Sequence, residues 1–153
     1  MRKQVFLPVL FLFMAVMASA QSAQVKTAMD AYARFSAGDI PGILALLSPE
    51  VVWTHAGDPA VLPFAGTFKG KAEVGRFFEA VGKSLQIMVF SPTNFRESGN
   101  TVSNDTHIEG TVLSTGKKYS DELVMTWTFG ADGQVISWAA TGTMAGIMAA
   151  YRK

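Results

Sequence analysis

The 153-residue chain changes character near Leu85. Upstream, apolar residues recur at helical spacing around one short strand; downstream, long β-branched and aromatic runs are joined by tight turns. Helices followed by strands specify an α+β domain. A twisted antiparallel sheet curls, and helices laid in its hollow close off a cavity. The expected fold is therefore a cone-shaped curved antiparallel sheet with N-terminal helices packed on its concave face.

Val25, Met29, Tyr32 and Phe35 fall on one helical face, and Gly38 follows as a left-handed end. Asp39 caps a second, shorter helix that accepts Pro41 in its first turn and stops at Ser48-Pro49. Val51 to His55 reads as a strand with Val51, Trp53 and His55 on one face. Gly57 to Gly70, with Pro59 and Pro63, reads as mostly loop. Val74, Phe77, Phe78, Val81 and Leu85 then mark the buried stripe of a third helix over about Lys71 to Lys83. Strands follow at Ile87 to Arg96, where Pro92 implies a bulge or an edge, and at Val102 to Ser114, Tyr119 to Phe129 and Val135 to Thr141. Asp132-Gly133 supplies the last hairpin turn. In the tail, 143–153, Met144, Ile147, Met148 and Tyr151 fall at helical spacing. It folds over the cavity mouth, packs on a partner subunit, or frays.

The first 20 residues stand apart. Arg2 and Lys3 precede an apolar run from Val5 to Ala18, and Ala18-Ser19-Ala20 is a small-residue cleavage pattern, the build of a secretory signal peptide. An uncleaved anchor needs roughly 20 apolar residues, and Pro8 interrupts this run early. The expectation is export, to the periplasm or the medium, with Gln21 as the first mature residue and no membrane attachment after cleavage. Without Arg2 and Lys3, 11 basic side chains face 12 acidic ones. That balance offers no electrostatic drive toward nucleic acid. The chain has no cysteine, which excludes disulfides, thiol catalysis and thiolate metal sites.

The run Tyr32 to Asp39, the Val51-Val52-Trp53-Thr54-His55 strand, the Gly66 to Gly70 loop leading into Val74–Phe78, and Trp127 to Gln134 with its Asp-Gly turn occur in a recognisable order. Together they resemble the SnoaL-like branch of the nuclear transport factor 2-like superfamily, which also holds ketosteroid isomerases, polyketide cyclases, dehydratases and epoxide hydrolases. The resemblance covers nearly all of the chain after residue 20 and implies the cone fold. It implies activity weakly, because one fold hosts many chemistries. Lined up with the isomerases, His55 takes the place of the aspartate base and Met125 that of the protonated aspartate in the oxyanion hole. Tyr32 lies on the helix that supplies their tyrosine, about one residue out of register. Met125 cannot donate a hydrogen bond, so the isomerase set is incomplete. The Arg-Asp-Arg group of the epoxide hydrolases is not recognisable.

His55 is the main candidate for acid–base work, since an imidazole near pKa 6.5 exchanges protons at neutral pH. Its bland alternative is a half-buried histidine bonding a nearby carbonyl. Asp121 shares a strand face with Leu123 and Met125, and either orients His55, acts as base, or is a solvated strand-end carboxylate. Trp53 and Trp138 are expected as cavity walls, and Asp58 as a loop residue beside the pocket or a turn former. Val102, Thr106, Ile108 and Val112 face inward, leaving His107 and Glu109 outside, solvated or at a dimer interface. Asn104-Asp105-Thr106 matches an N-glycosylation sequon. Two histidines far apart in sequence give no metal site, and no Gly-x-Ser-x-Gly elbow or phosphate-cradling loop implies a cofactor. The sequence thus leads to an exported domain that binds a small, largely apolar molecule in its cone cavity; open space of several hundred cubic ångströms beside His55 is the scale that reading needs, and packed side chains filling it would favour an assembly role instead. Such a domain is expected to pair with a second copy through the outer face of its sheet. The alternative is an isomerase, cyclase or dehydratase-type enzyme using His55.

Overall fold

The computed structural model describes residues 21–153; the expected signal peptide lies outside them. Helix α1 (Ala23–Ser36) starts where the Ser22 side chain accepts the Val25 N–H, and α2 (Ile40–Ala45) starts where Asp39 accepts the Gly42 N–H at 2.9 Å. Strands β1 (Leu47–His55) and β2 (Gly66–Lys69) precede α3 (Gly70–Ser84). Four more strands follow, β3 (Leu85–Ser98), β4 (Thr101–Val112), β5 (Lys118–Phe129) and β6 (Val135–Thr141), and α4 (Ala145–Tyr151) ends the chain. Among the described residues no helix is long and apolar enough to cross a membrane.

One six-stranded sheet runs in the order β2-β1-β6-β5-β4-β3. The three hairpins β3–β4, β4–β5 and β5–β6 are antiparallel, as tight turns require. The expected all-antiparallel sheet is corrected at one seam, because β1 pairs with β6 in parallel. A parallel pair needs a long crossover, and here α3 and four strands separate the two partners. Two further differences are local. β1 begins at Leu47, four residues before the expected start, and its register against β6 shifts between Leu47 and Val52. Pro49 sits in that irregular stretch, where a missing N–H breaks no ladder bond. The loop after His55 also holds β2, whose four residues pair with Val52–His55 and are too few to show a period.

Pro92 lies on the edge strand β3, between register shifts at Ile87/Val89 and Thr93/Arg96, the bulge and edge its sequence implied. Alternation on β4 and β5 sends Val102, Asn104 and Thr106, and Leu123, Met125 and Trp127, to the concave face. Helices α1 and α3 lay Tyr32, Val74, Phe77 and Phe78 against them. Val52, Val124 and Ile136 project from the convex face and are exposed.

Candidate functional site

Trp53 and His55 project from the end of β1 into the hollow of the sheet, beside Trp138 of the neighbouring β6. The chain then reverses at Gly57, whose φ of +117° is open to glycine and whose added Cβ would stand 2.5 Å from Leu62. This reversal folds the loop inward, burying Leu62 and Phe64. The Phe64 ring meets the imidazole edge-on at 5.2 Å between centroids, and Phe77 lies 5.8 Å away.

The cavity so formed has about 70 Å³ of free space. Its wall is aromatic and aliphatic, with Trp53, Trp127, Trp138, Phe77 and Phe90 around Tyr32, His55 and Asp121. The several hundred cubic ångströms that the binding reading needs are not open: large rings fill most of the space. Trp53 and Trp138 stack at 4.2 Å with an 18° tilt, and Trp127 stands edge-on to Trp53. A neighbouring groove of about 240 Å³ between α1 and β3 shares Tyr32 and Phe90 with the cavity. Phe90 is only partly buried and lines both spaces.

His55 Nδ1 lies 2.8 Å from the Ala56 carbonyl oxygen. A carbonyl only accepts, so Nδ1 carries the proton and Nε2 keeps its lone pair. Burial among the rings lowers the pKa below the ordinary 6.5, against a smaller opposing effect of the Ala56 bond. The imidazole is therefore neutral at neutral pH; it bonds a carbonyl through Nδ1, and the residue lines the cavity.

Asp121 lies on the cavity wall without a hydrogen bond to His55. Its carboxylate instead accepts the N–H groups of Gly146 and Ile147, at 2.9 and 2.7 Å. It is neither an orienting partner for the imidazole nor a free solvated group; it pins the start of α4. The tail thus folds over the mouth, and Met144 and Ile147 complete the wall. Met144, with a left-handed φ of 53°, makes the turn back. Asp58 is a second correction, since it is exposed, caps its own turn through the Ala60 N–H, and lies outside the cavity wall. Its side chain satisfies a local turn amide, as such residues commonly do.

A buried polar group beneath the cavity escaped the sequence reading. Tyr32 Oη donates to Asn104 Oδ1 at 2.6 Å and accepts from Trp127 Nε1 at 2.8 Å. Asn104 Nδ2 donates onward to Thr106 Oγ1 at 2.9 Å, and Met125 Sδ stands 3.4 Å from Tyr32 Oη. Burial pushes the Tyr32 phenol far above its ordinary range, outweighing these bonds, so it stays protonated. Asn104 is fully buried, which corrects the sequon: a glycan needs an exposed asparagine. Period two from Val102 to Thr106, and from Leu123 to Trp127, was the signal that places Asn104 and Trp127 inside.

On the convex face His107 Nε2 is 2.7 Å from Glu109, and Nδ1 bonds Glu122. The bonds to Glu109 and Glu122 raise its pKa above 6.5. Among the described residues no three His, Asp or Glu side chains come together as a metal site.

A sequence profile of the SnoaL-like domain family matches residues 28–138. None of the curated proteins compared with it matches the sequence. Among solved structures, a nuclear transport factor 2-like protein of unknown function from Burkholderia pseudomallei superposes with a TM-score of 0.79 at 25% identity, over 87% of this chain and 100% of that one. TerC, co-crystallized with polyporic acid, superposes at 0.76 with 26% identity, over 86% of this chain and 100% of its own. A Mycobacterium tuberculosis protein in complex with estradiol-17beta-hemisuccinate shares the fold, with a TM-score of 0.68 at 19% identity over 82% and 98% of the two chains. The profile match, the cone architecture and these neighbours make the chain a SnoaL-like member of the nuclear transport factor 2-like superfamily.

Proposed function

We propose that the domain binds a small, flat, largely apolar molecule in the cone, between the stacked Trp53–Trp138 pair and His55. The observation that carries this reading is the wall itself, in which aromatic rings surround a few polar groups, the usual build of a ligand pocket. Ligand sites commonly span ~300–1,000 Å³. Binding in a cavity of about 70 Å³ therefore requires the rings to part, and the adjoining groove behind Phe90 provides room for that. TerC, similar over its whole length and co-crystallized with polyporic acid, supports a planar guest.

A second reading, an acid–base enzyme, is favoured by His55 alone. A neutral imidazole on a dry wall keeps its Nε2 lone pair and can take a proton from a bound molecule. One experiment tests both. Polyporic acid is titrated into the protein by calorimetry, and the mixture is then followed for conversion in the wild type and in His55→Gln. Saturable one-to-one binding is the expected result, and absence of binding by folded protein contradicts it. Conversion that disappears in His55→Gln identifies the enzyme, whereas conversion at an undiminished rate removes His55 from that role.

A further inference from the structure

We infer that the end of the domain where α3, α4 and the β4–β5 turn meet is a docking surface for a lipid bilayer carrying anionic headgroups.

Three segments far apart in sequence come together at the turn 112–118. The turn closes where the Val112 carbonyl accepts the Gly116 N–H at 2.8 Å. The Leu113 N–H donates to the Ser84 carbonyl at the end of α3, at 2.9 Å. Thr115 Oγ1 and Lys117 Nζ donate to the Ala150 and Arg152 carbonyls at the end of α4, each at 2.6 Å. Lys117, Lys118, Arg152 and Lys153 are thereby gathered at one place, and all four are exposed. In the sequence only Lys117-Lys118 stand together. The expectation of no membrane contact was reached without the two cations that the fold adds.

The charge at this end is not neutralised by its neighbours. Of the 11 basic side chains after residue 20, Arg34, Arg76, Lys83 and Arg96 are paired with carboxylates. Four of the other seven belong to this end, and none of the four has a carboxylate partner among the described residues. The carboxylates on the elements that build it are engaged elsewhere. On α3, Glu73 holds Arg76 and Glu79 holds Lys83; on β4, Asp105 holds Arg96. Glu109 and Glu122 bond His107, and Asp121 bonds α4 amides.

The same turn carries Leu113, which is 53% exposed, and β3, whose first residue pairs with Val112, carries Met88 at 66%. A lone exposed apolar side chain is ordinary. A leucine at a turn tip beside four unpaired cations has a specific complement, the bilayer interface. Its acyl boundary receives the leucine, and its headgroup phosphates receive the ammonium and guanidinium groups. Nucleic acid offers phosphates without an apolar layer, and no aromatic ring is among the exposed large apolar side chains to stack on bases. Four cations stand at the lower end of the basic clusters that hold proteins on membranes, so the contact is reversible.

The test is co-sedimentation of the full chain with vesicles of phosphatidylcholine alone, or mixed with phosphatidylglycerol. Binding is expected to the mixed vesicles only, and to weaken as salt rises. Lys118→Gln with Arg152→Gln removes two charges and no side-chain hydrogen bond, and is expected to weaken binding about thirtyfold. Leu113→Ser is expected to weaken it about tenfold. Lys26→Gln with Lys69→Gln removes two exposed, unpaired charges elsewhere and is expected to leave binding unchanged. Failure to bind the mixed vesicles overturns the assignment, as does equal binding to both vesicle types. An equal loss in the two double variants attributes binding to net charge and overturns it too. Retention of a DNA oligonucleotide without vesicle binding identifies nucleic acid as the partner and overturns it as well.

Discussion

Trp127→Ala is expected to lower the unfolding free energy by about 3–5 kcal/mol, the range for deleting a large buried aromatic. Trp127 is 2% exposed and touches both layers of the domain: its ring stands edge-on to Tyr32 of α1 and to Trp53 of β1, at 5.3 and 5.8 Å. Its N–H also supplies the bond that Tyr32 Oη accepts. Alanine therefore removes a large ring from a close-packed wall and leaves a buried phenol oxygen short of one donor. Total stabilities of about 5–15 kcal/mol are usual for single domains, so the loss is a large fraction of the whole. Urea unfolding checks it, with a fall in the midpoint at unchanged slope as the expected signature. A loss below about 1 kcal/mol would show that the three-tryptophan cluster is not the structural centre described above.

Asp121→Ala is expected to free α4 from the mouth of the cone and to cost about 1.5–3 kcal/mol, the range for a hydrogen bond to a charged group. Both carboxylate oxygens are committed to consecutive amides of that helix. Further ties come from Thr115 Oγ1 to the Ala150 carbonyl and from Lys117 Nζ to the Arg152 carbonyl, each at 2.6 Å, but they hold the far end. The start of α4 is also the closest approach: a Cβ at Gly146 would stand 2.3 Å from the Ser120 carbonyl oxygen. Hydrogen exchange reads the outcome directly. Amides of residues 145–151 are expected to lose protection in Asp121→Ala while those of β4 and β5 keep theirs. Uniform loss across the sheet would mean that Asp121 supports the fold at large, and unchanged protection that the carboxylate does not hold the tail.

Local signals carried much of this architecture. Helical spacing from Val25 to Phe35, the Asp39 cap and the Asp-Gly turn at 132–133 each describe contacts between near neighbours, and each stands where the sequence puts it. Pairing of β1 with β6 joins residues more than eighty positions apart, and nothing in either strand encodes the direction of its partner. The site divided along the same line. Strand alternation aimed Trp53, His55 and Trp138 inward, because β1 and β6 are regular there. It did not show how tightly the rings pack, which depends on side chains from every layer at once. Asp58 and Asp121 illustrate the limit: each is a carboxylate near the end of a strand, one capping its own loop and the other a helix 25 residues away.

The two histidines offer the sharpest check of the cavity, because their surroundings push them in opposite directions. Burial lowers His55, so the unfolded chain takes up a proton before the folded one does. The stability His55 contributes is therefore full above pH 6.5 and is lost as the pH falls through its lowered folded value. His107 is raised by Glu109 and Glu122, so its contribution is full below pH 6.5 and is lost as the pH rises through the raised value. A two-dimensional NMR titration of both imidazoles, with His55→Gln for assignment, measures this directly. The expected result is one midpoint below 6.5 that disappears in the variant and belongs to a ring protonated at Nδ1, and a second midpoint above 6.5 that remains. A His55 midpoint at or above 6.5, or a neutral ring protonated at Nε2, would place the imidazole in water and contradict the dry pocket on which the binding function depends.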